Sequence, residues 1–262
     1  MHNIIVIGGS SGIGLAFIQK HTDSKIINIS RTACPVAGVT NIIADVTKPN
    51  ALIKAFERID AADTLVYAAG TSLAAPLERT TQADYRAIID TNLVGAIEAT
   101  RLSLPLLRAS GRGRIVYAAS TGAVVPIAFD ACYSASKAAL VMLARALETE
   151  LAGSPVKATA VVIGGTRTRF TFKRKIYADV GEPYERNLKT ACDTLIKTEQ
   201  TGYAATTIAD GITRVINAKN PPPVVTLGLK NKLMTAVYKI LPMRAKCAVD
   251  KAFFGISIQP TK

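Results

Sequence analysis

The chain has 262 residues, of which 49% are hydrophobic and 19% charged, so wholesale disorder is excluded and the length suits one α/β domain. Lys and Arg outnumber Asp and Glu by 32 to 19, and the net charge of +13 indicates an anionic partner. Because Trp is absent, only 6% of residues are aromatic and no nucleic-acid motif occurs, we expect no nucleic acid as that partner.

Short apolar runs alternate with helical patterns along the chain. The predicted strands are residues 4–7, 25–29, 40–44, 64–69, 114–119, 156–163 and 224–227. The predicted helices are residues 12–21, 48–60, 81–108, 133–152 and 206–218. This alternation predicts an α/β fold with a single Rossmann-type, doubly wound parallel sheet and helices on both faces. We place one domain at 1–228, with an irregular polar segment at 166–200, and a basic amphipathic helical extension at 229–262.

A glycine-rich turn, Gly8-Gly9-Ser10-Ser11-Gly12-Ile13-Gly14, joins the first predicted strand to the first helix. Glycines permit a tight turn and let the diphosphate of a dinucleotide approach the backbone at the positive end of the helix. Gly14 leaves room for the helix to pack closely on the strand. The residues that we expect to contact the dinucleotide here are Gly8, Ser10, Ser11, Gly12, Ile13 and Gly14.

The end of the second predicted strand indicates which dinucleotide is preferred. NAD sites usually carry an acid at this point, whereas no Asp or Glu occurs here between Asp23 and Asp45. Ser30-Arg31-Thr32 stands there instead. The Arg31 guanidinium can hold a 2′-phosphate through paired hydrogen bonds, with a hydroxyl group from Ser30 or Thr32. This pattern favours NADPH over NADH, and a solvated Arg31 without such a role is the alternative.

Cysteine and histidine are too sparse for a metal site or a disulfide framework. The relevant residues are Cys34, Cys132, Cys192, Cys247, His2 and His21. An apolar strand begins at residue 4, directly after Met-His-Asn, and no apolar run reaches the ~18 residues of a membrane span. We therefore expect no secretion signal, no bound metal and a reducing cytoplasmic location.

Tyr133-Ser134-Ala135-Ser136-Lys137 opens a predicted helix, and Tyr133 and Lys137 project from one helical face because they are four residues apart. An ammonium group near a phenol stabilises the phenolate, so we expect a pKa of Tyr133 below its usual value of about 10. Ser120 follows the preceding strand and can hydrogen-bond a carbonyl oxygen. This set indicates acid–base chemistry at a carbonyl or alcohol group.

At these residues the chain resembles the short-chain dehydrogenase/reductase family, of the type that prefers NADP. The matching motifs are Gly8-x-x-x-Gly12-Ile13-Gly14, Asn92-x-x-Gly95, Ser120 and Tyr133-x-x-x-Lys137. They occur in the order and spacing of the family across residues 3–228. The resemblance implies hydride transfer between a nicotinamide cofactor and a carbonyl or alcohol group.

The resemblance also assigns roles to individual residues. Tyr133 is the proton donor to the carbonyl oxygen, Ser120 positions that oxygen, and Lys137 holds the nicotinamide ribose. Asn92 binds a water that relays protons, although a satisfied residue at a helix kink is the alternative. The further cofactor contacts that the family implies are Asp45, Val46, Ala69, Gly70, Gly165, Thr166 and Thr168. Asp45 is alternatively a cap at the end of a strand.

Several positions depart from the family pattern, and one of them is Ile7, where a threonine is usual. Tyr67-Ala68-Ala69-Gly70 replaces the family's Asn-Asn-Ala-Gly after the fourth strand, so a polar network is lost there. Gly164-Gly165 replaces Pro-Gly after the sixth strand, and we expect a looser loop on the nicotinamide side.

The segment after Thr168 lies over the substrate in this family. Its basic residues are Arg167, Arg169, Lys173, Arg174 and Lys175. We interpret them as a basic mouth for a phosphate, carboxylate or carrier-bound substrate, or as a solvated loop. The apolar candidates around the substrate are Val125, Ile127, Phe129, Phe170 and Phe172, which suit a lipid-like or cyclic ketone.

Residues 229–262 carry apolar residues at helical spacing, seven Lys or Arg and one acid, Asp250. Such helices either close the substrate pocket, pack against a partner subunit or lie on an anionic membrane. Because the extension follows the last strand, we expect a homodimer through the helices at 92–108 and 133–152.

Three functions are therefore open. The first is an NADPH-dependent carbonyl reductase that acts on a lipophilic ketone, steroid-like or fatty. The second is a reductase of 3-oxoacyl thioesters carried by acyl-carrier protein or coenzyme A. The third is an NADP-binding sensor or scaffold without catalysis, against which the set of Ser120, Tyr133 and Lys137 argues.

Overall fold

The structure is a computed structural model, and it describes residues 2–256. Its strands are β1 (Asn3–Ile7), β2 (Lys25–Ser30), β3 (Thr40–Ile43), β4 (Thr64–Tyr67), β5 (Leu73–Ala74), β6 (Arg114–Ser120), β7 (Lys157–Ile163), β8 (Thr166–Arg167), β9 (Lys175–Ile176), β10 (Tyr203–Ala204) and β11 (Val224–Thr226). Seven of them form one sheet in the order β11-β7-β6-β4-β1-β2-β3. Every pairing in this sheet is parallel, so the carboxyl ends of all its strands lie at one edge.

The helices are α1 (Gly12–Gln19), α2 (Ala51–Phe56), α3 (Gln82–Ile89), α4 (Gly95–Ala109), α5 (Ala131–Glu150), α6 (Phe170–Lys173), α7 (Glu185–Gln200), α8 (Ala205–Asn217), α9 (Leu229–Ile240) and α10 (Met243–Phe253). Helices α1 and α8 cover one face of the sheet, where Phe17 and Ile212 belong to one apolar cluster. Helices α2, α4 and α5 cover the other face, where Leu52, Leu107 and Leu140 belong to a second cluster. The predicted doubly wound fold is confirmed.

The predicted helix over 81–108 is interrupted. Helix α3 ends at Ile89, a π-helical turn spans Asp90–Val94, and α4 begins at Gly95. The turn contains Asn92, whose side chain is fully buried and bonds to a neighbouring loop. Such π-helical turns often occur at functional sites. Here the turn carries the Asn92 side chain to the loop after β4.

The polar segment at 166–200 is more ordered than its composition predicts. It contains α6 and α7, and α7 buries Leu188, Ala191 and Cys192 while Lys189 and Asp193 remain exposed. The short strands β8 and β9 join the segment to β10 and β5. The segment is therefore a packed subdomain over the carboxyl edge of the sheet.

The described part of the predicted extension forms α9 and α10, and residues 257–262 lie outside the described residues. Between residues 2 and 256, no helix is both long and apolar enough to span a bilayer. Cys34 and Cys192 are buried free thiols, Cys132 is partly buried and Cys247 is exposed. In the same range, no group of three or more His, Cys, Asp or Glu residues is placed to hold a metal ion.

Candidate active site

Three side chains with acid–base or hydrogen-bonding chemistry meet at the carboxyl edge of the sheet. Ser120 is the last residue of β6, and its Oγ accepts a hydrogen bond of 3.0 Å from the Gly122 N–H. Tyr133 and Lys137 lie four residues apart at the start of α5. The Lys137 ammonium lies 5.5 Å from the centroid of the Tyr133 ring and donates to the Ala118 carbonyl oxygen at 2.8 Å.

Burial decides the protonation of this pair. It raises the pKa of Tyr133 to about 12, and the Ser120 hydroxyl only partly opposes this by stabilising the phenolate. Burial also lowers the pKa of Lys137 to about 8. The shift of Tyr133 is opposite to our expectation, because loss of water disfavours the phenolate more than the neighbouring polar groups stabilise it. The phenol is therefore protonated at neutral pH and can serve as a proton donor.

Asn92 connects this edge to the loop after β4. Its Oδ1 accepts from the Thr71 N–H at 2.8 Å, and its Nδ2 donates to the Thr71 carbonyl oxygen and to Ser136 Oγ, both at 3.0 Å. A side chain added at Gly70 would lie 3.5 Å from both Asn92 Oδ1 and Lys137 Nζ. Asn92 is thus the satisfied residue at the helix kink, and Gly70 lies between it and Lys137.

The glycine-rich turn approaches its neighbours too closely for side chains. A Cβ at Gly8, whose φ is +87°, would lie 2.7 Å from the Ala69 nitrogen, and a Cβ at Gly14 would lie 2.4 Å from the Gly8 carbonyl oxygen. Gly12 has a φ of +58° and faces more open space towards Thr168, 3.8 Å away. The turn, the loop after β4 and the segment after β7 therefore meet around Gly12 and Ala69.

The remaining residues of the turn are accessible at the beginning of α1. Ser11 is the extended residue that precedes the helix, and its side chain makes no capping hydrogen bond. Ser10, Ser11 and Ile13 are all partly exposed, and Ile13 packs its apolar part on the α1–α8 cluster. The hydroxyl groups and the first N–H groups of α1 consequently face the same region as Gly12.

The three predicted phosphate contacts at the end of β2 differ in exposure. Ser30 is buried, and its hydroxyl donates to the Thr32 carbonyl oxygen at 2.7 Å. Ser30 therefore stabilises the turn, and the expected contact of its hydroxyl with a 2′-phosphate is not supported. Arg31 and Thr32 are exposed, and the positive charge of Arg31 contributes to the lowered pKa of Asp45.

The Asp45 carboxylate caps the turn after β3. Its Oδ1 accepts from the Thr47 N–H at 3.0 Å and from the Thr47 hydroxyl at 2.8 Å. Val46 packs against α4, where a side chain at Gly95 would lie 3.1 Å from it. Asp45 and Arg31 together border the region expected for the adenosine half of the cofactor.

The glycine pair after β7 is closely packed. A Cβ at Gly164 would lie 2.5 Å from the Asn231 side chain of α9, and a Cβ at Gly165 would lie 2.3 Å from the Thr198 carbonyl oxygen of α7. Thr166 is buried and its hydroxyl donates to the Gly164 carbonyl oxygen at 2.9 Å. The expectation of a looser loop was therefore wrong: the missing side chains allow α7 and α9 to close on this segment.

A buried polar network lies beside Tyr133, and the sequence did not predict it. Ser72 Oγ donates to the Asp130 carboxylate, and Arg174 Nε donates to Ser72 Oγ at 2.9 Å. Arg174 Nη2 lies 2.5 Å from Glu199 Oε1. Burial raises the pKa of Asp130 to about 7, although the Ser72 hydroxyl and the Arg174 charge oppose the shift. No local pattern marks these four residues, because they come from four separate segments.

Of the five cations at 167–175 that we interpreted as a basic mouth or a solvated loop, Arg174 is buried, whereas Arg167 and Lys175 are exposed and bonded to protein groups. Arg174 is the buried partner of Glu199, and Lys175 Nζ lies 2.9 Å from Asp84 Oδ2. Arg167 donates to the Gly202 carbonyl oxygen at 2.7 Å. Arg169 and Lys173 are exposed as well.

The apolar residues that we expected around the substrate do not all lie near Tyr133 and Ser120. The Phe170 ring lies 6.0 Å from the Tyr133 ring and 5.8 Å from the Arg174 guanidinium. Val125 and Ile127 are partly buried in the segment that follows Ser120. Phe129 instead packs on Tyr184 with a ring distance of 6.4 Å, and the Phe172 side chain is 77% exposed. Phe170 is therefore the aromatic residue of α6 that lies next to Tyr133.

A parallel sheet with this constellation at its carboxyl edge defines a dinucleotide-dependent oxidoreductase. Residues 2–176 match the family model for short chain dehydrogenase, and the chain belongs to this family. It is similar to 3-ketodihydrosphingosine reductase of Bacteroides thetaiotaomicron, with 28% identity over 84% of this chain and 85% of that protein. Ketoacyl reductase HetN of Nostoc sp. is 28% identical over 97% of this chain and 89% of that protein. The 3-oxoacyl-[acyl-carrier-protein] reductase MabA of Mycobacterium avium is 31% identical over 64% of this chain and 69% of that protein.

Solved structures show the same fold at lower identity. A short-chain dehydrogenase from Streptomyces avermitilis has a TM-score of 0.81 and 23% identity, covering 98% of this chain and 99% of that one. A Burkholderia cenocepacia enzyme in complex with NADP has a TM-score of 0.75 and 19% identity, covering 95% and 97%. A Burkholderia phymatum enzyme in complex with NAD has a TM-score of 0.76 and 18% identity, covering 91% and 92%.

The residues present fit a nicotinamide dinucleotide. Gly12 offers an approach to the backbone at the beginning of α1, and Thr168 borders that approach. Gly70 leaves the space beside Lys137 Nζ free of a side chain. The diphosphate would therefore lie at Gly12 and the nicotinamide ribose at Lys137, which places the nicotinamide near Tyr133.

We predict that Glu199→Gln lowers the free energy of unfolding by about 3–5 kcal/mol, because it leaves the buried Arg174 charge without its partner. Asp193→Asn in the same helix breaks an exposed pair with Lys189 and should cost less than about 1 kcal/mol. Urea unfolding of the two variants measures the difference. Equal losses would mean that the buried pair does not hold the segment in place.

Proposed function

We propose that this chain is an NADPH-dependent carbonyl reductase that acts on a lipophilic ketone, fatty or steroid-like. The observation that carries the proposal is the convergence of Ser120, Tyr133 and Lys137 at the carboxyl edge of the sheet, next to Gly70 and Asn92. The names of the relatives, a ketodihydrosphingosine reductase and a ketoacyl reductase, support a keto substrate on a long chain. Phe170 beside Tyr133 supports an apolar substrate.

The geometry suggests how the residues divide the work. The bound dinucleotide supplies the hydride. Ser120 Oγ accepts from Gly122, so its own proton is available to hold the carbonyl oxygen. The protonated phenol of Tyr133 donates its proton to that oxygen as negative charge develops there. The Lys137 ammonium, near the ring, stabilises the phenolate that remains.

Asn92 completes the arrangement as a positioning residue. Both hydrogens of its Nδ2 are used by Thr71 and Ser136, and its Oδ1 has a second lone pair beside the Thr71 N–H. The proposed relay water would donate a hydrogen bond to that lone pair and would pass protons between solvent and Lys137. Domain 1–228 thus carries the proposed chemistry, and α9 and α10 belong to the extension.

We predict that Tyr133→Phe lowers kcat by at least about 100-fold while NADPH binding is retained, because the change removes only the transferable proton. The assay is NADPH oxidation against fatty ketones, steroids, quinones and acyl thioesters, with cofactor binding measured by calorimetry. Retained turnover would reject the role of Tyr133. Wild-type protein that binds NADPH but reduces no member of the panel would favour the non-catalytic sensor or scaffold.

We predict that Arg31→Ala raises the Kd of NADPH by about 10- to 100-fold, since charge-assisted hydrogen bonds to the 2′-phosphate are lost. The Kd of NADH should change by less than about twofold. Arg58→Ala, which removes another exposed arginine, is the control and should change neither constant. Equal weakening of both cofactors by Arg31→Ala would show that Arg31 does not hold a 2′-phosphate.

A 3-oxoacyl-thioester reductase is the second candidate. The similarity to MabA and the exposed cations Arg169 and Lys173 beside Phe170 favour it. We predict under this function that the double variant Arg169→Gln/Lys173→Gln raises KM for a carrier-bound substrate at least about fivefold, because the carrier is anionic. The KM of a free ketone should stay unchanged. Unchanged KM for both substrates would leave the lipophilic ketone as the better proposal.

We further propose a homodimer in a cytoplasmic setting. Val94, Ile97 and Met142 are exposed apolar residues on the π-helical turn, α4 and α5, the helices expected at the dimer interface. Their exposure supports an interface with a second copy of the chain, because burial between two copies would remove these apolar side chains from water.

A further inference from the structure

Helix α9 has two opposite faces of different chemistry. Its buried residues are Asn231, Thr235 and Tyr238. Its exposed apolar residues, with exposed fractions of 83%, 65%, 45% and 82%, are Leu229, Leu233, Val237 and Ile240. At about 100° per residue, these four fall within a stripe of about 80° on the side away from the buried residues. The helix therefore packs on the protein through polar groups and directs its apolar stripe outwards.

Specific contacts fix this orientation. Asn231 Nδ2 donates to the Leu227 carbonyl oxygen at 2.8 Å, and the Asn231 side chain fills the space over Gly164. Further along, the Tyr238 hydroxyl donates to Asp250 Oδ2 of α10 at 2.8 Å. Rolling the helix to bury its apolar stripe would break both hydrogen bonds. The exposed stripe is therefore a built feature of the surface.

Lysines border the stripe on both sides. Lys230 lies on one side, and Lys232 and Lys239 lie on the other, given the same helical spacing. Helix α10, which contacts the buried side of α9 through Tyr238, carries the exposed apolar residues Met243, Val249 and Phe253 and the cations Arg244, Lys246 and Lys251. Asp250 is the only acid from 229 to 256, and Tyr238 already donates to it.

We propose that the outward apolar stripe of α9, with the lysines that border it, docks on the surface of an anionic lipid bilayer. An apolar stripe bordered by lysines is the pattern of helices that lie in a membrane interface, where the lysine stems reach the headgroups. A second copy of the chain fits the same face less well, because two such faces would bring like charges together. Gly164 at the end of β7 underlies α9, so a docked bilayer would lie near the catalytic edge of the sheet.

The test is co-sedimentation of the full chain with vesicles, which does not use enzyme activity and so is independent of the proposed reaction. Vesicles of phosphatidylcholine mixed with phosphatidylglycerol are compared with vesicles of phosphatidylcholine alone. We expect binding to the anionic vesicles that falls at high salt. The double variant Lys232→Gln/Lys239→Gln should weaken it by about tenfold or more.

The apolar stripe is tested with a matched pair of variants. Leu233→Ser removes a side chain of the stripe that is 65% exposed, and Leu77→Ser removes a leucine elsewhere that is 63% exposed. We expect vesicle binding to be at least about tenfold weaker for Leu233→Ser. Leu77→Ser should bind vesicles as tightly as the wild-type protein does. Thermal unfolding checks that both variants remain folded, as exposed positions should allow.

Three results would overturn the proposal. The first is equal binding of wild-type protein to neutral and anionic vesicles, or no binding to either. The second is unchanged binding of the Leu233→Ser variant. The third is a wild-type dimer, measured by light scattering without vesicles, that Leu233→Ser converts to a monomer, because the face would then be covered by a second copy.

Discussion

The side chain of Asn92 joins three segments at the carboxyl edge of the sheet. Its three hydrogen bonds join the π-helical turn to the loop after β4 and to α5, segments 21 and 44 residues away in the sequence. The side chain is fully buried, so each bond that failed would leave a polar group without water or partner. Because α5 also carries Tyr133 and Lys137, this amide ties the loop after β4 to the helix that bears them.

Close backbone approach is the second constraint, and it explains a departure from the family pattern. Gly8 and Gly14 let the turn after β1 pack against Ala69 and on itself. Gly164 and Gly165 likewise let α9 and α7 pack closely on the segment after β7. A proline at 164 would carry a ring into the space that Asn231 occupies. The close packing of α7 and α9 therefore depends on the absence of side chains at Gly164 and Gly165.

The net charge of +13 divides into neutralised and unneutralised parts. Arg174 and Lys175 look alike in the sequence, yet one is buried against Glu199 and the other lies exposed against Asp84. The cations of α9 and α10 have a single neighbouring acid, Asp250, over 229–256. The net charge indicates an anionic partner but does not locate its binding surface. The contacts show which cations have no acidic neighbour and so could bind such a partner.

Local patterns determined the seven strands of the main sheet, most of the helices, the glycine-rich turn and the spacing of Tyr133 and Lys137, because periodicity and turn chemistry act over a few residues. The tertiary structure alone decided the partners of Asn92, the network that joins Ser72 to residues 58 and 102 positions away, and the raised pKa of Tyr133. It also decided that α9 buries its polar face. These features depend on desolvation and on contacts between distant segments, and neither is encoded in the spacing of neighbouring residues.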